Sequence, residues 1–233
     1  MIRPFGRRRR RAAAQRALDR MHPEVRTALE KMDAGVPQSG SDGSAHELRA
    51  DTRISRNKGA FLFELHERLR PKLSVEVGFA YGYSTLYILA AMKSGGYGHH
   101  LAIDPYQSQL WHGIGLRQVS RIGMEERFTF VDDFSVSALS KMTAAGEKAE
   151  LIFVEGDHKF DSVLGDFTCA ARICPVDGFI VFDDLWMPAI KRVIAFVRKN
   201  RPDFVEEPTT SRGLAAFRRV GGDERGWDHF VSF

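Results

Sequence analysis

The chain of 233 residues is poor in cysteine, in tryptophan and in long apolar runs. Its two cysteines, Cys169 and Cys174, are too few to staple a disulfide scaffold, and their spacing on one expected helix is not that of a metal-binding pair. They read as buried thiols in a reducing compartment, which makes the cytoplasm the expected location. No apolar stretch approaches the roughly twenty residues that cross a bilayer, and the start of the chain lacks the apolar centre of a secretory signal. There is no internal repeat and no low-complexity tract beyond the arginines at Arg7–Arg11. The body of the chain has no basic stripe interleaved with aromatics, so nucleic acid is not an expected substrate.

What is present is a hydrophobic content of 43%, sufficient for one domain with a full core and about fifty residues over. The net charge of +4 divides unevenly. Residues 1–31 hold ten Lys/Arg against Asp19, Glu24 and Glu30, and the whole chain's +4 less that +7 leaves −3 for the rest. The basicity belongs to a leader, read as a solvated tail. An Arg-rich, acid-poor start also has the composition of an organellar transit peptide or of a docking arm for nucleic acid or anionic lipid.

Residues 12–33 read as one or two helices broken at Pro23, and Gly35–Ser44 is a loop by composition. The division expected is a basic helical extension and loop over 1–45 and a main domain over 46–233. Lys58–Arg70 is an amphipathic helix stopped by Pro71. Strands follow at Leu73–Val77, His100–Asp104, Phe128–Val131, Leu151–Glu155 and Gly178–Asp183. Helices alternate with them near Ser84–Met92, Ser108–Ile122, Ser135–Met142, Asp161–Ile173 and Pro188–Asn200. Such alternation implies right-handed crossovers and an α/β, Rossmann-like, doubly wound sheet, mostly parallel and seven-stranded. The last two strands, Phe204–Glu207 and Leu214–Val220, are joined too tightly for a crossover and are expected as an antiparallel hairpin at the edge.

Ligands of such sheets bind beyond the C-terminal strand ends, at the point where strand order reverses. Here the five strands end on Glu76, Asp104, Asp132/Asp133, Glu155 with Asp157, and Asp183/Asp184. A single acid at a strand end is usually a cap or turn former, but five on one rim suggest a site. The turn Gly78-Phe-Ala-Tyr-Gly82 leads into a helix at Ser84, which brings backbone N–H groups to a ligand. The dinucleotide fingerprint G-x-G-x-x-G fails here, because Ala80 and Tyr83 stand where two of its glycines belong. An acid before the turn suits a ligand carrying an ammonium group.

From about Gly59 to Val220 the chain resembles the class I S-adenosylmethionine-dependent methyltransferases. The resemblance implies that Gly78 and Gly82 admit the methionine portion of the cofactor, with Tyr81 and Ser84 in the same turn and Glu76 near its amino group. It implies Asp104 on the ribose hydroxyls, where one carboxylate can accept from a vicinal diol, and Asp133 toward adenine. The stretches Phe153-Val-Glu-Gly-Asp-His-Lys-Phe160 and Val181-Phe-Asp-Asp-Leu-Trp186 resemble the small-molecule O-methyltransferases acting on sugars and, more distantly, on catechols and caffeoyl-coenzyme A. In those relatives acids at the positions of Glu155, Asp183 and Asp184 hold Mg²⁺, commonly with Asp where Glu155 stands. Carboxylates on adjacent strand ends, about 4.8 Å apart, could also share a cation on geometry alone. The alternative is that the acidic pair caps a turn and Glu155 pairs with a lysine.

Methyl transfer to oxygen requires removal of the hydroxyl proton, for which Asp157 and His158 are the candidate bases. The resemblance favours Asp157, and His158 serves a metal-independent N- or O-methyl transfer. Trp186, Met187, Trp111 and Tyr106 are candidate walls for a small hydroxylated acceptor. The extension before Gly59 lies where related enzymes build a lid or dimer contact, so a homo-oligomer is expected. Two other functions fit the sequence: oxidation on the same cofactor fold, and a non-catalytic protein docking through Arg7–Arg11.

Overall fold

The computed structural model describes residues 7–233, with side chains from Arg11 onward. Helices α1 (Arg7–Arg20) and α2 (Pro23–Asp33) break at Pro23, which opens α2 where its missing N–H costs nothing. The loop that follows holds a short antiparallel hairpin, β1 (Gln38–Ser39) with β2 (Ala45–His46), which composition alone did not show. Helix α3 (Arg56–Leu69) starts on the cap Ser55 and stops at Arg70, which adopts the left-handed conformation just before Pro71.

The main domain runs β3 (Leu73–Val77), α4 (Tyr83–Gly95), β4 (His99–Ile103), α5 (Ile114–Arg121), β5 (Phe128–Val131), α6 (Ser135–Ala144), β6 (Leu151–Val154), α7 (Phe160–Ile173), β7 (Phe179–Phe182), α8 (Pro188–Asn200), β8 (Phe204–Glu207) and β9 (Ala215–Arg219). The sheet order is β5-β4-β3-β6-β7-β9-β8. The first five of these strands are parallel, and β9 pairs antiparallel to both β7 and β8. The expected edge hairpin is therefore present. Order reverses at β3, which has β4 on one side and β6 on the other, so β3 marks the switch point.

Apolar side chains alternate across the strands and feed two cores. Val75, Val77, Ile152 and Val154 pack with α6, α7 and α8 around the fully buried Phe167. On the other face Phe153, Val181 and Ala102 join α3, α4 and α5. The N-terminal extension shares this second core, since Leu18, Val25, Leu29 and Met32 are buried with Leu62 and Tyr87. Cys169 and Cys174 are both buried and free, and burial pushes the Cys174 thiol up to about 12.

One helix is much shorter than its expected span of Ser108–Ile122. The chain holds His112 at φ 52° and Gly113 at φ 65°, left-handed values that no helix continues through, so α5 begins only at Ile114. The residues ahead of it form a loop over the sheet's C-terminal rim. Among the described residues no helix is long and apolar enough to cross a membrane.

Candidate active site

A cavity of about 720 Å³ lies over the C-terminal ends of β3, β4 and β6. Its floor is the turn after β3, where Gly78 has φ 90° and a Cβ would collide with the Glu155 carbonyl oxygen. Only glycine lets the β3 and β6 ends close side by side, so its constraint comes from the neighbouring strand as well as from any ligand. Gly78 N–H donates to Ile103 O at 2.9 Å, tying the turn to β4. Gly82 then leads into α4, which starts at Tyr83 and has no side-chain cap. Tyr83 and Ser84 line the cavity, so the uncapped first-turn N–H groups lie at its wall.

Asp104 also lines the cavity and organises this turn. Its Oδ2 accepts from Phe79 N at 3.1 Å and Ala80 N at 2.8 Å, and its Oδ1 accepts from Tyr106 N at 2.8 Å. A carboxylate offers about four acceptor positions, so the principal vacancy is on Oδ1. As it stands, Asp104 has room for one ribose hydroxyl more readily than for two.

Glu76 departs from expectation. Strand alternation that sends Val75 and Val77 to one core sends Glu76 to the other, under α4. It is fully buried, accepts from Thr85 Oγ1, and lies 3.3 Å from His100 Nε2, whose Nδ1 contacts Ser74 Oγ at 2.8 Å. It does not line the cavity, and its Oε1 has no partner in the structure. Nor does Asp133 line the cavity: its oxygens accept from Phe134 N, Ser137 Oγ and Lys141 Nζ at 2.7–2.8 Å, so it serves the start of α6. Its neighbours Phe134 and Ser135 face the cavity instead.

The acidic pair after β7 is already neutralised. Lys58 Nζ, from the first turn of α3, contacts Asp183 Oδ1 and lies 3.0 Å from Asp184 Oδ1. Burial opposes the lysine's charge, but Asp183 and Asp184 outweigh it and raise its pKa. His158 Nε2 lies 3.0 Å from Asp184 Oδ2, at ion-pair distance but outside hydrogen-bond alignment. This contact, partly offset by burial and reinforced by Lys58, holds the Asp184 carboxyl far below its usual range. In return Asp184 raises the His158 imidazole, with burial opposing. Glu155 lines the cavity, and burial, with Asp183 and Glu76 adding, pushes it well above the ordinary carboxylate range, which favours the neutral acid.

This donor set does not fit a divalent ion. Magnesium needs one or two free carboxylates converging with waters at about 2.1 Å. Here a lysine ammonium already sits between Asp183 and Asp184. Among the described residues the side chains that converge at metal-ligand spacing lie elsewhere: Asp42 and His46 in the β1–β2 loop region, with His112 from the loop before α5.

Of the two candidate bases, both line the cavity but their surroundings differ. Asp157 is exposed, and its Oδ2 accepts from Lys159 Nζ at 3.0 Å and Ser162 Oγ at 2.9 Å. Burial is the largest single influence and pushes its pKa up, but the bonds from Lys159 and Ser162 together outweigh it and its pKa falls. A depressed carboxylate tied to a lysine is a poor proton acceptor. His158 is less exposed and has its acidic partner in place.

Several cavity residues carried no signal in the sequence. Arg49, Asp51 and Ile54 approach from the segment between the β1–β2 hairpin and α3, and their local sequence resembles any polar loop. The Arg49 guanidinium lies over the Trp111 ring, 5.8 Å from its centroid, and Tyr81 meets the same ring edge-on at 5.2 Å. Tyr106 and Phe134 form a second edge-on pair at 6.3 Å. Trp186, by contrast, is 68% exposed and Met187 is not in the wall.

Comparison with known proteins agrees with this architecture. Residues 75–185 match the family described as a methyltransferase domain. A flavonoid 3',5'-methyltransferase of Vitis vinifera is 25% identical over 149 residues, covering 63% of this chain and 62% of the relative. Caffeoyl-CoA O-methyltransferase 2 of Populus trichocarpa is 28% identical over 175 residues, covering 71% and 67%. The chain thus spans roughly two thirds or less of these relatives' lengths. Among solved structures, a Podospora anserina methyltransferase bound to S-adenosylhomocysteine superposes with a TM-score of 0.67 at 14% identity, covering 95% of this chain and 99% of that one. An O-methyltransferase of Bacillus cereus in complex with the same molecule gives 0.63 at 16% identity, with 89% and 97% covered.

Proposed function

We propose that the chain is a class I S-adenosylmethionine-dependent methyltransferase and that it methylates a hydroxyl of a small aromatic molecule with His158 as the base. The observation that carries this reading is that His158, paired with Asp184, and the glycine turn of β3 line one cavity. In this reading S-adenosylmethionine lies along Gly78–Ser84, with the uncapped start of α4 toward its carboxylate and Asp104 Oδ1 toward a ribose hydroxyl. Bound there, it supplies an electrophilic methyl on a sulfonium.

The Asp184 carboxylate beside Nε2 favours the tautomer protonated there, leaving the Nδ1 lone pair free to take a proton. With the methyl group supplied to the acceptor oxygen by a bound S-adenosylmethionine, which would leave as the thioether, the acceptor's proton would pass to His158 Nδ1. A phenol, with a pKa of about 10, matches an imidazole base far better than an alcohol does. The aromatic wall of Trp111, Tyr106 and Phe134 suits a flat ring, and the buried Trp111 Nε1, which has no partner in the structure, offers a donor to an oxygen substituent. Flavonoid and caffeoyl relatives are consistent with that acceptor class. The test is calorimetry with S-adenosylhomocysteine together with methyl transfer from labelled S-adenosylmethionine to a panel of phenols and sugars. Absence of S-adenosylhomocysteine binding would overturn the cofactor assignment, and transfer to sugars alone would overturn the acceptor class.

A further inference from the structure

We propose that the Lys58 ammonium is the resident cation of the acidic cluster, a positioning residue that neutralises Asp183 and Asp184 in place of a divalent metal. The inference rests on the methyltransfer reading for its consequence, which is that turnover does not require added metal.

The placement is built, not incidental. Lys58 sits in the first turn of α3, where its backbone N–H reaches the cap Ser55 Oγ at 3.4 Å. The next residue, Gly59, packs directly against the Tyr87 ring, where a Cβ would collide, so α3 is drawn tight onto α4 at this point. On the far side Gly213 closes over the lysine stem, and a Cβ there would press on Lys58 Cε. Gly213 O accepts from Leu185 N at 3.2 Å, which joins that cover to the chain just after the acidic pair. The Lys58 side chain is 16% exposed and that of Asp183 only 1%.

A cation this enclosed, touching one oxygen of each acid, excludes a divalent ion from the same oxygens by its charge. It also leaves Asp184 Oδ2 for His158. Lys58 does not line the cavity, so it acts on the reaction through Asp184 and not by touching the acceptor. The buried Asp183 Oδ2, which has no partner in the structure, marks where a vacated cluster has an oxygen to offer.

The experiment is Mn²⁺ titration of the full chain by calorimetry and by electron paramagnetic resonance. It compares the wild type with Lys58→Ala, Lys58→Met, Asp183→Asn and the double variant Lys58→Ala/Asp183→Asn, with S-adenosylhomocysteine binding as the check on folding. The expected result is that Lys58→Ala gains one Mn²⁺ equivalent over the wild type and that Asp183→Asn removes that gain. Lys58→Met keeps the stem without the charge, so it covers the case in which the alanine variant does not fold, and it gains the same equivalent. Turnover of the wild type is expected to be unchanged by a chelator. A wild-type Mn²⁺ site abolished by Asp183→Asn alone overturns the proposal, as do folded lysine variants that gain no Mn²⁺. Failure of the wild type to bind S-adenosylhomocysteine counts against the methyltransfer reading, whereas the Mn²⁺ arms test Lys58 by themselves.

Discussion

His158 Nε2 stands 3.0 Å from Asp184 Oδ2, across the ends of two adjacent parallel strands, β6 and β7. The acid favours the imidazolium, so the neutral base is plentiful only above the ordinary histidine value of about 6.5. The rate of methyl transfer is expected to climb with pH through a limb above that value. Asp184→Asn removes the counter-charge and moves the limb down, and His158→Gln lowers kcat by about 10²- to 10⁴-fold and removes it. A pH–rate profile of the three proteins checks this, and a limb that persists in His158→Gln assigns the base elsewhere.

Asp104 holds the glycine turn through the Phe79 and Ala80 N–H groups and accepts a third bond from Tyr106 N. Asp104→Asn keeps the shape but discards the charge and turns donor hydrogens toward at least one of those amides. A loss of about 2 kcal/mol in urea unfolding is expected, with weaker S-adenosylhomocysteine binding by calorimetry. Unchanged stability would show that the turn holds itself.

Gly78→Ala places a Cβ against the Glu155 carbonyl at a left-handed backbone position. The cost expected is about 2 kcal/mol or more, read as a fall in the denaturation midpoint at unchanged slope. Gly146→Ala is the control, since it shares a positive φ but meets nothing within 4 Å.

Asp166 is 1% exposed, accepts from Ser135 Oγ at 2.5 Å, and is pushed up to about 6 by burial. Because the folded value lies above the unfolded one, folding favours the protonated acid. That contribution is complete below about pH 4 and is lost as pH rises through about 6. Asp166→Asn keeps an acceptor for Ser135 without the charge, so it is expected to be more stable than the wild type near pH 8 by about 2 kcal/mol and equal to it near pH 4. Urea melts at the two pH values decide this.

The order of strands and helices was legible because period-two and period-3.6 apolar patterns are local, and so was the glycine turn with acids at the strand ends. The direction of Glu76 follows from its place between Val75 and Val77, since alternation sends it away from them, a signal that the expected cofactor role for Glu76 passed over. The reading of Asp133 failed for a different reason. Four residues on from it Ser137 begins to complete the first turn of α6, and eight on is Lys141, so a helix-start role competes with any ligand role and wins. The shortened α5 turned on two left-handed residues, and only Gly113 of these advertises that freedom in sequence.

The sequence by itself determined the doubly wound frame, the acidic rim at the C-terminal strand ends and the glycine turn after β3, since each follows from patterns within about twenty residues. Tertiary structure alone decided the electrostatics of the second acidic cluster. Lys58 and Asp184 are 126 residues apart, and nothing in either stretch records the other. Their meeting depends on how tightly α3 packs on α4 through Gly59 and on the cover supplied by Gly213, both properties of the assembled core. A carboxylate's chemistry is set by the charges beside it, and those arrive only when the chain has folded.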